Sequence, residues 1–238
     1  KLNPNVAYGA NGDETILKLK GDKAICIDGN GATVIGRVSI DIPKDTREGE
    51  AVLHQLTNIH FVSEASMTSG DEDNICLDGL GQVRVTKCSF ENYYKAVNMY
   101  PTEQRRGDVY GVKNATDSCI FKNNRYGIYI DGKDEERLFE ETSSEIKNCK
   151  FIGNYEGIHI IEQEELERAD QVLEIYHSEF IDNTYDIVNR NGIVKYLAYG
   201  CLFAVTSNEP GATIKVRKPQ TVEIIASYVY REHFLNTD

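Results

Sequence analysis

The stretch CIFKNNRYGIYIDG, residues 119–132, decides the fold, because the chain writes it again on either side. Aligned on its phenylalanine, the copies read CSFENYYKAVNM from Cys88, CIFKNNRYGIYI from Cys119, CKFIGNYEGIHI from Cys149 and SEFIDNTYDIVN from Ser178. The half-copies NIHF at Asn58 and GCLF at Gly200 extend the series outward. Phenylalanines thus fall at 61, 90, 121, 151, 180 and 203, with spacings of 29, 31, 30, 29 and 23. A period near 30 calls for an architecture of stacked repeats.

Within each unit, apolar and polar residues alternate over short stretches such as GIYI, GIHI and QVRV, which is strand periodicity. Leucines at fixed offsets and amphipathic segments of ten or more residues, the marks of leucine-rich and helical repeats, are missing from the unit. The one helix-like stretch, EQEELERADQ at 162–171, falls between strands. About three short strands per 30-residue unit predict an all-β fold, a single-stranded right-handed parallel β-helix. One coil cannot bury its inward face alone. It stacks like residues above and below at about 4.8 Å, and that stacking requires repetition. Residues 1–203 are assigned to this solenoid, and 204–238 to its final coils or a C-terminal cap.

Composition narrows the partners. With 38 acidic against 26 basic residues, the net charge is −12 and no basic stripe is present, which excludes a nucleic-acid backbone as ligand. No run approaches the roughly 18 apolar residues of a membrane helix, so membrane insertion is not expected. The opening KLNPNVAYGANGDE has no initiator Met and no basic-then-apolar leader, which fits a processed chain or an excised domain. The oligomeric state has no signature in the sequence.

The six cysteines form no zinc spacing. Cys88, Cys119, Cys149 and Cys201 share the parity of the phenylalanines two residues on, and so predict an inward column of free thiols with Ser178 in its gap. Asn123, Asn124, Asn154 and Asn183 predict a turn ladder whose side chains bond neighbouring backbone. If Ile128 and Ile130 point inward, Tyr129 and Asp131 point outward. The outward columns then read Cys76, Asn98, Tyr129, His159, Val188 and, beside them, Asp78, Tyr100, Asp131, Ile161, Arg190. Long segments after the strands (PTEQRRGDVYGVKN, GKDEERLFEETSS, EQEELERADQ) and VSEASMTSGDED in the first coil are expected to wall these columns into a trough.

The CxFxxNxxGIxI units, preceded by IDGNGATVIG at 27–36, resemble the parallel β-helix proteins of the pectin-lyase-like superfamily over residues 20–203. That superfamily includes pectate lyases, polygalacturonases, alginate lyases and epimerases, tailspikes, adhesins and copper-delivery proteins, so the resemblance implies a fold more than an activity. In its enzymes the sugar polymer lies across such an outward column. The resemblance therefore implies substrate contacts at Asn98, Tyr100, Tyr129 and His159.

Asp78 and Asp131, two coils apart in one column, would lie about 9.6 Å apart. An inverting glycosidase separates its acid and base by about 6.5–9.5 Å, so the two aspartates are the candidate catalytic pair, although each also precedes glycine as in a turn. SGDEDNICLDG at 69–79 resembles the paired-aspartate segment of polygalacturonases at Asp71, Glu72 and Asp73 only, without that family's NTD, GHG or RIK segments. The same cluster offers Asp71 and Asp73 as calcium ligands or is a solvated loop. The RxPxxR segment of pectate lyases is missing, and Arg105 and Arg106 are the one basic pair near the trough. His159 is the best single histidine, on the surface beside Tyr129. There is no tryptophan to stack on sugars, but 14 tyrosines could serve. Metal delivery is disfavoured, since two Met and five His do not cluster.

The expectation is an extracellular, cell-surface or virion-associated β-helix that recognises a polysaccharide, with hydrolysis or elimination in view. The alternative is a non-catalytic structural or adhesin-type module of a larger surface or tail protein.

Overall fold

The computed structural model describes residues 1–9, 16–20, 25–41, 53–64, 74–80, 82–100, 115–130, 143–160, 172–189, 195–204, 212–216, 222–225, 227–230 and 233–237. These form an all-β right-handed parallel solenoid of about 29 residues per coil, with no helix among them.

Four successive coils contribute three strands each: Gln82–Thr86, Ser89–Glu91 and Lys95–Tyr100; Ala115–Asp117, Ile120–Lys122 and Tyr126–Ile130; Ser143–Lys147, Lys150–Ile152 and Glu156–Ile160; Val172–Tyr176, Glu179–Ile181 and Tyr185–Asn189. Each strand pairs in parallel with its equivalent one coil away. Beyond Phe203, the strands Ala212–Val216, Val222–Ile225, Tyr228–Tyr230 and His233–Thr237 continue the same pairings. On the other side the long strand Leu53–Val62 pairs with both Gln82–Thr86 and Ser89–Glu91, joining two faces into one bent sheet.

The bends have a backbone cause. Asn58, Lys87, Ser118, Asn148, His177 and Gly200 form one column of left-handed residues, and Asn92, Asn123, Gly153 and Asp182 form a second. Each turns the chain sharply within one residue, which leaves a middle strand of three residues between the columns. Asparagine and glycine adopt this conformation at least cost.

Inside the coils the six phenylalanines stack as one column. Centroid separations are 5.0 Å (Phe61–Phe90), 5.1 Å (Phe90–Phe121), 4.8 Å (Phe121–Phe151), 4.7 Å (Phe151–Phe180) and 4.9 Å (Phe180–Phe203). Val97, Ile128, Ile158 and Ile187 make a second column from the third strands. Cys88, Cys119, Cys149 and Cys201 are buried free thiols, as their parity predicts, and Ser178 fills the gap. The Ser178 hydroxyl accepts the Cys149 N–H at 3.1 Å and donates to Tyr176 O at 3.0 Å, so a hydroxyl is satisfied where its neighbours carry sulfur.

The predicted asparagine ladder is present in Asn124, Asn154 and Asn183. The Nδ2 of Asn124 donates to Asn154 Oδ1 at 3.0 Å and that of Asn154 to Asn183 Oδ1 at 2.9 Å. The same amides donate to the phenylalanine carbonyls one coil back, at Phe90, Phe121 and Phe151. Asn123 belongs to the left-handed bend instead.

One irregularity positions the third strand. Ala96 and Val97 are consecutive yet both buried, as are Gly127 and Ile128, so alternation fails at that step. A Cβ on Gly127 would sit 2.6 Å from Gly157 O and 3.1 Å from the Phe121-column ring of Phe151, which explains glycine there.

Candidate functional site

The register settles which residues share a column. Asp78, Asn98, Tyr129, His159 and Val188 are successive partners, and Tyr100 pairs with Leu80. This corrects the expectation that placed Cys76 with Asn98 and Asp78 with Tyr100. Cys76 is buried inside the coil, two residues before Asp78. The expectation set Asp78, Tyr100 and Asp131 at one level, whereas the apolar column Leu77, Val97, Ile128 fixes the alignment two residues away. A slip of two preserves the strand's alternation, so the pattern of apolar residues alone did not expose it. Asp78 therefore leaves the column expected for Asp131, and the 9.6 Å pair loses its basis. Asp131, Asp71 and Asp73 lie outside the described residues, as do nearly all of the wall segments.

The column is also less open than expected. Asn98 is 3% and His159 4% exposed, and Tyr129 is half-buried. His159 and Tyr129 stack face to face at 4.8 Å, and Tyr126 meets both edge-on at 5.0 and 5.2 Å. His159 Nδ1 is in hydrogen-bond contact with the buried carboxylate of Glu156. Lys95 Nζ caps the Tyr129 ring at 4.0 Å. Side chains that point away from the core thus cover one another, and surface exposure does not follow from outward direction.

What remains accessible is the bend just before this sheet. Tyr94, Arg125, Tyr155 and Thr184 follow Tyr93, Asn124, Asn154 and Asn183, so they emerge at one level on successive coils. Arg125 lies over the Tyr155 ring at 3.7 Å and over Tyr126 at 5.8 Å. Tyr94 meets Tyr126 edge-on at 5.4 Å, and Tyr155 meets Tyr185 at 5.8 Å. The result is a continuous stripe of rings across four coils with a guanidinium set into it, and Tyr155, at 38% exposure, faces solvent.

The stripe was present in the repeat and went unread. Every complete copy carries tyrosine or arginine four or five residues after its phenylalanine: Tyr94, Arg125 and Tyr126, Tyr155, Tyr185. Among the described residues no group of three or more His, Cys, Asp or Glu side chains could hold a metal ion. A second ring cluster sits at the other bend, where Tyr199 meets His177 at 5.6 Å and Lys147 lies 5.6 Å from Tyr176.

The fold and stripe define a parallel β-solenoid with an aromatic and cationic bend. Compared with protein families, curated proteins and solved structures, the chain matches none of them.

Proposed function

We propose that this chain is a polysaccharide-recognising β-solenoid, of the pectin-lyase-like kind its repeat resembles, and that it holds its ligand on the bend stripe Tyr94, Arg125, Tyr126, Tyr155 and Tyr185. The observation that carries the reading is the continuity of ring contacts along the coil axis, with Tyr155 exposed and Arg125 stacked on it. Tyrosine suits a sugar: the ring covers an apolar C–H face while the phenol reaches a hydroxyl. A repeat in the protein meets a repeat in the polymer. Binding without cleavage is favoured because the register sets Asp78 beside Asn98 and not beside Tyr100, and because His159 is enclosed by Tyr126, Tyr129 and Glu156. An extracellular, cell-surface or virion location goes with this reading, and calcium is not needed for it.

The test is retention on immobilised plant, algal and bacterial polysaccharides, with product assays alongside. Tyr155→Ala should weaken binding by roughly tenfold, the size of one lost ring contact. Tyr199→Ala, an equally exposed tyrosine at the other bend, should not. Equal effects of the two substitutions, or no retention on any polymer, would discard the stripe, and release of new reducing ends would restore hydrolysis.

A further inference from the structure

We propose that the face made by the three-residue middle strands is a docking surface for a second copy of this chain, which lies against it with its coils reversed. In each of these strands the central residue belongs to the buried phenylalanine column, so the first and third side chains point outward. Parallel pairing lines up the first residues as Ile120, Lys150, Glu179, Leu202 and Tyr228, and the third as Lys122, Ile152, Ile181 and Ala204. Ile120 is 40% and Tyr228 67% exposed. Ile152, Ile181, Leu202 and Ala204 are half-buried and adjoin one another, which makes an apolar patch rather than a scatter of single residues.

The face is also electrically closed. Lys122 reaches Glu91 on the strand beside it at 2.8 Å, and Lys150 reaches Glu179 at 2.9 Å, so these two lysines and two glutamates sum to zero. The whole chain carries −12, and two copies repel one another wherever like charge meets like. The outward column of the first strands, by contrast, sets Glu145 beside Glu174. The neutral, apolar face is where an equally charged copy approaches at least cost.

Register then selects the orientation. Two copies of one face meet about a two-fold axis in two ways. With coils running the same way, the first column of one copy meets the third-residue column of the other. That arrangement sets Lys150 against Ile152 and Glu179 against Ile181, and so buries charge on hydrocarbon. With coils reversed about an axis between the levels of Lys150 and Glu179, each column meets itself in opposite order. Lys150 then faces Glu179 of the second copy, Ile152 faces its Ile181, and Ile120 faces its Leu202. Charge meets opposite charge and apolar meets apolar, which fixes register as well as partner. Three residues span about 10 Å, so the contact falls in the small, transient class, below about 1,200 Å².

The experiment is sedimentation velocity from about 10 µM to about 1 mM chain, where contacts of this size associate. The native chain should shift toward a dimer as concentration rises. Lys150→Glu and Glu179→Lys, each first checked for a native melting temperature, should each associate at least tenfold more weakly, because like charges then face one another across the axis. An equimolar mixture of these two variants should recover the native affinity, since each supplies the charge that the other lacks. Glu145→Lys makes the same change of net charge as Glu179→Lys on another face, and should dimerise no more weakly than the native chain. A native chain that stays monomeric, or that forms a species larger than a dimer, overturns the inference. So does a mixture that associates no better than its two components.

Discussion

Asn183 Nδ2 donates to Asp186 Oδ1 at 3.0 Å, and with that bond the ladder of buried asparagines ends. Asn124 and Asn154 each find the next asparagine's oxygen one coil on; Asn183 finds its acceptor three residues ahead in its own coil. This explains an aspartate in the buried position that holds alanine or glycine in the other three copies. Asp186→Ala should cost about 1–3 kcal/mol in urea unfolding, the penalty of an unsatisfied buried donor. Asp186→Asn retains the accepting oxygen and should cost clearly less. Equal losses would show that the acceptor is not what matters.

Gly127 and Gly157 allow the third strands to approach the phenylalanine stack. In Gly127→Ala the new methyl meets Gly157 O at 2.6 Å, backbone that cannot move away on its own. A loss of about 1–3 kcal/mol is expected, as for an overpacked core. Ala96, at the same level two copies from Gly157, should accept glycine with a smaller change. Chemical denaturation of both variants checks the contrast.

The cysteine column makes stability depend on alkaline pH. Burial pushes the Cys88 thiol up to about 11 from an ordinary 9.0. Below pH 9 both folded and unfolded chains hold this proton, and stability is at its full value. Between 9 and 11 the unfolded chain releases it while the folded one retains it, so stability falls by up to about 1.4 kcal/mol per pH unit from this group. Cys88→Ala should flatten that part of the curve of unfolding free energy against pH. With a thiol reagent at neutral pH, Cys26, the exposed one, should react quickly, and the other five only on unfolding.

Lys87 holds a left-handed conformation, φ 54°, at a level where Asn58 and Ser118 occupy the adjoining coils and Asn148 the next one on. A lysine pays for this geometry more than an asparagine does. Lys87→Asn should raise stability by about 0.5 kcal/mol, read as a higher urea midpoint at an unchanged slope.

The parts of the structure that repeat were legible in the sequence, because repetition is a property of spacing. The phenylalanine stack, the thiol column and the asparagine ladder all follow from residues that recur at one offset. Register in the coil before Ser89 was harder. Two residues of slip left the alternation intact, so Asp78 was set beside Tyr100 when its partner is Asn98. Burial of His159 could not be read at all, since it comes from the Tyr126 and Tyr129 rings of the neighbouring coil packing against it. The bend stripe was visible in principle, but an aromatic after a turn asparagine has no meaning until the two bend columns are known to align it.

The coil from Phe180 to Phe203 is six residues shorter than the one before it, yet Phe203 pairs with Phe180 in unbroken register. The stacked rings therefore serve as a ruler that measures the chain in whole coils and ignores what is spent between strands. Change in such a molecule comes in two sizes. A coil's worth of sequence could be copied or removed and the columns would close over the seam, whereas a single residue lost between Phe121 and Gly127 would throw every column above it out of step. By this reckoning the molecule can vary its length and its edges freely, while its interior admits a change only where the column's spacing is kept and the new group is satisfied, as at Ser178 and Asp186.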